Sequence, residues 1–193
     1  MRWRNGGGVT LEIAREPARG EEFAWRLSLA QIDGSCDFSP YPGYRRAIVL
    51  LDGNALQLRF RGHGRSCLSP AKRGARFDGD WQTRCVVPRG GCVDLSLIVR
   101  KGSAAAPACV VRSPTLLRIG STRRLVLPKD LCAALFVIDG SVAVTGPVAE
   151  RSRFLRARDT FLLTPGPRRT LTLRNLGEQP AQLALLRWLP GRE

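Results

Sequence analysis

Histidine is almost missing from this chain: among 193 residues there is one, His63. A catalytic metal centre of imidazole and carboxylate ligands draws two or three histidines to close spacing, so no metal and no other cofactor is expected. A Ser-His-Asp or Cys-His nucleophile pair would have to recruit that same residue. His63 lies in Gly62-His63-Gly64-Arg65 and reads as an exposed loop histidine. Lysine is scarce as well, at Lys72, Lys101 and Lys129 only. No apolar run reaches the roughly 18 residues of a membrane helix. The first residues, Met1-Arg2-Trp3-Arg4, lack the apolar core of a secretory signal, so a cytoplasmic protein without a membrane partner is expected. Six cysteines are present, at 36, 67, 85, 92, 109 and 132, but no C-x-x-C pair. That spacing disfavours a zinc site or redox motif and leaves free thiols, packed as small hydrophobes.

What is abundant is arginine. The formal net charge is +15, and no acid occurs between Asp52 and Asp78 or between Asp94 and Asp130. Such a balance favours acidic partners: anionic metabolites, anionic surfaces or nucleic acid. The arginines are spread along the whole chain, with no basic helix and no aromatic-plus-basic RNA motif. A solvated surface is therefore preferred over nucleic-acid binding.

Hydrophobic periodicity points to an all-β chain. Val9 to Ala14 alternates apolar and polar, so the glycine run Gly6-Gly7-Gly8 leads straight into a strand. Phe23, Trp25, Leu27 and Leu29 share one face of the next strand; Arg26, Ser28 and Ala30 share the other. If the apolar face is inward, Arg26 points to solvent or towards the other half. Arg46 to Leu51 is a buried-type strand that Asp52-Gly53 turns back into Ala55 to Phe60. A basic loop is expected from Arg61 to Arg76, then a hairpin of Trp81–Val87 with Cys92–Val99. After a small, polar stretch from Lys101 to Ala108 the pattern repeats. Ala134 to Val144 mirrors Ala47 to Gln57, each an apolar strand, an Asp-Gly turn and a returning strand. Thr170–Leu173 and Ala181–Trp188 read as closing strands. The expected division is residues 1–102 and 103–193, two similar barrels or sandwiches forming one compact unit in which strands may be exchanged.

Trp3-Arg4-Asn5-Gly6-Gly7-Gly8 with Thr10, Trp25 to Ala30, Phe38-Ser39, Pro42-Gly43 with Arg46, Phe77-Asp78-Gly79-Asp80 and Asp94 to Ile98 follow one another in a distinctive order. Over roughly residues 3–102 this series resembles the HutD/Ves family of bicupin proteins; the second half resembles cupins only generically. The resemblance implies two cupin-like β-barrels packed side by side. It also implies a regulatory or accessory role in histidine utilisation or stress, with binding of an acidic intermediate such as formylglutamate and no established reaction. Three positions depart from the family: Arg4 stands where lysine is usual, Arg45 where Asp often precedes the arginine, and Ser96 where the family has Asn.

Within these motifs, arginine is the residue type suited to gripping a carboxylate through two parallel hydrogen bonds. Arg4, Arg26 and Arg46 are the candidate anion ligands. Asn5, Gly6, Thr10, Ser28 and Ser96 are candidates for neutral contacts, Trp3 and Trp25 for an apolar wall, and Asp94 for orienting an arginine. Against this stands an internal Arg–Asp network that merely satisfies buried polar groups. The leading expectation is a metal-independent binding protein for a small anionic metabolite. The alternatives are a metal-independent enzyme acting on a small acid, a nucleic-acid-binding protein, and a β-domain whose edge strand pairs a second copy as a homodimer.

Overall fold

The computed structural model describes residues 1–3, 6–20, 22–88, 90–102, 110–146 and 149–189. Side chains are described at these positions except 110 and 149–151. The described chain is strands and connections, and it contains no helix long and apolar enough to cross a membrane. It divides into two compact units, Met1–Pro114 and Thr115–Leu189.

The first unit holds β1 (Gly8–Glu16), β2 (Trp25–Ile32), β3 (Cys36–Phe38), β4 (Tyr44–Asp52), β5 (Leu56–Phe60), β6 (Gly64–Leu68), β7 (Gly74–Asp78), β8 (Thr83–Val86), β9 (Cys92–Arg100) and β10 (Val110–Val111). One sheet runs β1-β2-β9-β4-β7; the other runs β3-β8-β5-β6. Their inner faces share a core that includes Ile32, Ile48, Leu50, Phe77 and Cys92 from the first sheet and Phe38, Leu56, Leu58, Phe60 and Cys85 from the second. On the other face of the large sheet Leu27, Val49, Leu95, Leu97 and Val99 are fully buried, whereas Leu11 on β1 is 65% exposed.

The second unit holds β11 (Thr115–Ile119), β12 (Thr122–Leu127), β13 (Cys132–Asp139), β14 (Ser141–Gly146), β15 (Ala149–Arg156), β16 (Thr160–Leu163), β17 (Arg169–Asn175) and β18 (Ala181–Leu189). Here β18 pairs with β11 and β13, and β13 pairs with β16; the facing sheet runs β12-β17-β14-β15. Leu135, Val137, Leu183 and Leu185 meet Val142, Val144, Leu171 and Leu173 in its core.

The two Asp-Gly turns are present but do not make hairpins. Each carries the chain from one sheet to the facing one, β4 to β5 and β13 to β14. The same device does it twice. A register shift breaks the ladder just before the turn, between Leu50 and Asp52 and between Val137 and Asp139. The Asp carboxylate then accepts from the following glycine N–H, at 2.8 Å for Asp52 and 2.9 Å for Asp139. Gly53 and Gly140 adopt φ of 100° and 81°, where a Cβ is strained. The bulge bends the strand out of its sheet, so the repeat read in the sequence is a repeated corner.

The hairpin expected from Trp81 to Val99 is likewise absent: β8 pairs with β3 and β5, whereas β9 lies between β2 and β4. The expected loop 61–76 contains β6 and the start of β7. Gly64-Arg65-Ser66-Cys67-Leu68 is a polar edge strand paired only with β5, so it carries no alternating apolar signal.

Candidate functional site

The site lies inside the first unit, in a cavity of about 670 Å³. The inward face of its large sheet is polar where the cavity opens. Arg26 on β2 pairs with Ile98 on β9, Ile98 with Arg46 on β4, and Arg46 with Phe77 on β7. The arginines are thus two strands apart with one small aliphatic surface between them, roughly 10 Å at the backbone. Further along the same strands Ser28 pairs with Ser96, and then Ala30 with Asp94. On β1, Glu12 and Thr10 continue these two rows and also line the cavity.

Both guanidinium groups converge on one ring. The Cζ atoms of Arg26 and Arg46 stand 5.2 and 5.5 Å from the centre of Tyr41, and Arg26 Nη2 donates to the Tyr41 hydroxyl at 2.7 Å. Arg46 is also stacked on Phe38 at 5.0 Å and Phe77 at 5.1 Å, and its Nη1 donates to the Ser39 carbonyl at 3.4 Å. Aromatic faces hold a desolvated cation without consuming its N–H donors. The Nε atoms of both arginines are buried with no hydrogen-bond partner. Burial pulls the Arg46 pKa down to about 10, opposed by Tyr41 and Asp94 and assisted by Arg26, so it stays charged at neutral pH.

Asp94 sits deeper, 1% exposed. Burial pushes its pKa up to about 7, against the attraction of Arg46. Its Oδ1 and the Ser96 hydroxyl have no hydrogen-bond partner, and among the described residues neither Asp94 nor Arg46 is in an ion pair. Trp3 closes another side. Its indole N–H donates to Thr10 Oγ1 at 2.6 Å, and its ring meets Phe38 edge-on at 5.9 Å. The N-terminal segment reaches this position by folding back on β1, with Trp3 N–H donating to the Gly8 carbonyl at 2.9 Å.

Seven of the residues expected from sequence are therefore brought to one cavity: Trp3, Thr10, Arg26, Ser28, Arg46, Asp94 and Ser96. Gly6 and Trp25 do not line it, and Arg4 and Asn5 lie outside the described residues. Arg26 points neither to solvent nor to another barrel; the polar face of β2 is the inward one. Tyr41, the ring that gathers the two arginines, is not among the residues expected from sequence. Phe38 and Ser39 carried the resemblance without suggesting their contact with Arg46. His63 is exposed, as expected, and stacks on Trp81 at 4.3 Å. Cys36, Cys85, Cys92 and Cys132 are buried free thiols, whereas Cys67 is exposed on the edge strand β6, contrary to the expectation of packing for every cysteine.

Facing antiparallel sheets, repeated with the same bulged Asp-Gly corner, define an all-β protein of the bicupin type. Oxalate decarboxylase of Lactobacillus farciminis shares this fold at 9% identity, with a TM-score of 0.66 over 96% of this chain and 82% of that one. The chain belongs to the HutD family, whose model matches residues 1–180. A conserved protein of unknown function from Pseudomonas aeruginosa PAO1 superposes with a TM-score of 0.82 at 28% identity, over 97% of this chain and 92% of its own. HutD from Pseudomonas fluorescens SBW25, in a structure titled for a formate condition, gives 0.75 at 27% identity over 100% and 94%. In sequence, an uncharacterized 21.2 kDa protein from the hutC 3' region of Pseudomonas putida is 40% identical over 99 residues, 51% of this chain. Protein Ves of Citrobacter koseri is 46% identical over 56 residues, 29% of this chain. The aligned parts span 52% of the Pseudomonas putida protein and 29% of the Ves protein.

Proposed function

We propose that the first unit binds a small carboxylate in this cavity, in a regulatory or accessory role linked to histidine utilisation. The observation that carries the reading is the pair Arg26 and Arg46, gathered on Tyr41 with buried N–H donors left unused. Buried donors without partners are costly, and a bidentate anion satisfies them through strong, charge-assisted hydrogen bonds. Trp3, Phe38 and Ile98 offer apolar wall to the carbon skeleton, and the polar end at Ser28, Ser96 and Asp94 suits a second functional group. An acid of the size of formylglutamate fits this description, and the hutC-region and HutD names of the relatives agree with it.

The test is a thermal-shift screen of chelator-treated protein with formylglutamate, glutamate and urocanate, and with zinc, iron and manganese in parallel wells. A ligand at 100 times its Kd stabilises by about 2.7 kcal/mol. The expected result is a shift with one of the acids that disappears in Arg46→Ala. A shift with metal alone would overturn the reading.

Asp94 supports a second reading, a metal-independent enzyme on the same kind of acid. A carboxyl that titrates near neutrality inside a cavity has the property a general acid or base needs. Turnover of the bound acid by purified protein, lost in Asp94→Asn, would favour that reading over binding alone.

A further inference from the structure

The cavity contains a group that an anion site does not obviously want: a carboxyl. Asp94 is more thoroughly buried than Arg46, its Oδ1 is unpartnered, and the neighbouring Ser96 hydroxyl is unpartnered too. A buried carboxylate kept charged in a folded protein is normally paired or accepts several hydrogen bonds. Among the described residues no ion pair reaches this one, and its Oδ1 accepts no hydrogen bond. We infer that anion binding here is proton-coupled: a carboxylate held by Arg26 and Arg46 is taken up together with a proton on Asp94. The inference rests on the binding reading above and adds to it the state of Asp94 and the pH dependence of the site.

The argument is electrostatic. Among the described residues, Arg46 is the charge that favours ionised Asp94. A ligand carboxylate on Arg46 cancels that attraction and adds a negative charge inside the same low-dielectric cavity. Both effects favour the neutral acid, by the rule that two carboxylates sharing a site do not both stay ionised. Among the described residues, the other groups around Asp94 do not compensate. From β2 comes Arg26, which the ligand also engages; from β1 comes Glu12, and from β3 come Asp37 and Cys36. Cys85 on β8 and Cys92 on Asp94's own strand are thiols whose pKa values Asp94 itself helps to push up, and both stay neutral. Tyr41 is committed to Arg26, and Arg2 lies in the N-terminal segment that lines the cavity. Once protonated, Asp94 gains an O–H donor. It can then hydrogen-bond an oxygen of the ligand's second polar group, with Ser96 and Ser28 beside it. Asp94 thereby selects ligands that present an acceptor at this end, and it ties their affinity to pH.

The experiment is isothermal titration of the full chain with formylglutamate, whose carboxyl groups are ionised throughout the range used. Titrations at pH 6, 7 and 8, with two buffers of different ionisation enthalpy at pH 7.5, read the affinity and the protons exchanged. The expected result is net proton uptake on binding and an affinity that falls by up to about tenfold per pH unit above neutrality. Asp94→Asn, permanently neutral, is expected to bind with a flat pH profile and no exchange. A wild-type affinity that is flat with pH and independent of buffer would overturn the coupling while leaving the binding reading intact. Proton uptake that persists in Asp94→Asn would overturn the assignment to Asp94. Absence of saturable heat with formylglutamate, glutamate and urocanate at every pH would overturn the binding reading and the coupling with it. The wild-type buffer comparison needs no variant, so the inference stands or falls even if Asp94→Asn does not fold.

Discussion

Asp94→Asn should abolish a pH dependence of folding stability that the free protein carries without any ligand. The group's pKa is about 7 when folded, against an ordinary value of 3.8, and burial is the main cause. Between those two values the folded state holds more protons than the unfolded chain, so stability falls as pH rises. It is unaffected below the unfolded value, and the full cost is present above about pH 7. At 1.36 kcal/mol per pH unit the total is about 4 kcal/mol, of which about 2.5 kcal/mol accrues between pH 5 and pH 8. Asparagine removes the ionisation but buries an amide in the same place, at a pH-independent cost of about 1–3 kcal/mol if its N–H groups stay unpaired. The prediction therefore concerns slope more than level. Urea denaturation at pH 5, 6, 7 and 8, with the m-value checked for constancy, should show the wild type losing stability towards pH 8 relative to the variant. The two should cross, or nearly meet, on the acid side. Parallel curves for the two proteins would refute the reasoning, because they would mean that Asp94 ionises as readily folded as unfolded.

Arg46→Lys keeps the charge but loses the planar fork stacked on Phe38, Tyr41 and Phe77, so it should behave like Arg46→Ala in the thermal-shift screen and lower stability by about 1–3 kcal/mol. Gly53→Ala should lower the urea midpoint by the equivalent of about 1–3 kcal/mol, because its φ is +100° and the new Cβ would stand 2.8 Å from the Cys92 Cβ. Gly62→Ala, at φ +76° with open space around it, should cost no more than about 1–2 kcal/mol, and an equal loss at both sites would contradict the corner argument. Among the described cysteines, a thiol reagent followed by peptide mass spectrometry should label Cys67 in the native protein. Cys36, Cys85, Cys92 and Cys132 should react only on unfolding, since burial raises all four and carries Cys92 and Cys132 up to about 12.

Alternation and punctuation were enough to read the all-β class, the repeat and most strands, because each core face is built from residues two apart. They could not give the pairing. The Asp-Gly signature is shared by a tight hairpin and by a bulged corner, and only the register shift ahead of Asp52 and Asp139 distinguishes them. The edge strand β6 is polar, so it gives no apolar alternation, and the same polarity makes it tolerable at an edge. The site was legible to the extent that family motifs marked it. Ser28, Asp94 and Ser96 are polar residues inside otherwise apolar strands, a signal that survives without structure. The direction of Arg26 was not legible, because Leu27 on one face of β2 and Ser28 and Ala30 on the other are all buried, and the apolar face is not the one that lines the cavity. Tyr41 was hidden because its role arises from a residue between β3 and β4 meeting side chains from β2 and β4, a relation that spacing along the chain does not encode.

The charge of the whole protein and the charge of its cavity point to different partners, and salt separates them. The chain carries +15, yet among the described residues the cavity wall sets the side chains of Arg2, Arg26 and Arg46 against those of Glu12, Asp37 and Asp94, three basic and three acidic. The surface excess acts at long range, speeds the approach of any anion, and is screened beyond about 10 Å at 0.1 M salt. Arg46 is 8% exposed, and contacts made at that depth are screened far less. A small acid held by the buried arginines should therefore lose no more than a few-fold in affinity between 50 and 200 mM salt. A polyanion held by six to ten surface arginines would lose about 10³–10⁵ over the same range. A salt titration of formylglutamate beside one of single-stranded RNA measures both slopes on one preparation. A shallow slope for the acid, with RNA released by 200 mM salt, assigns the cavity to the ligand and the arginine-rich exterior to solvation. Tight RNA binding at 200 mM salt, with no binding of the acid, would instead make the exterior the functional surface.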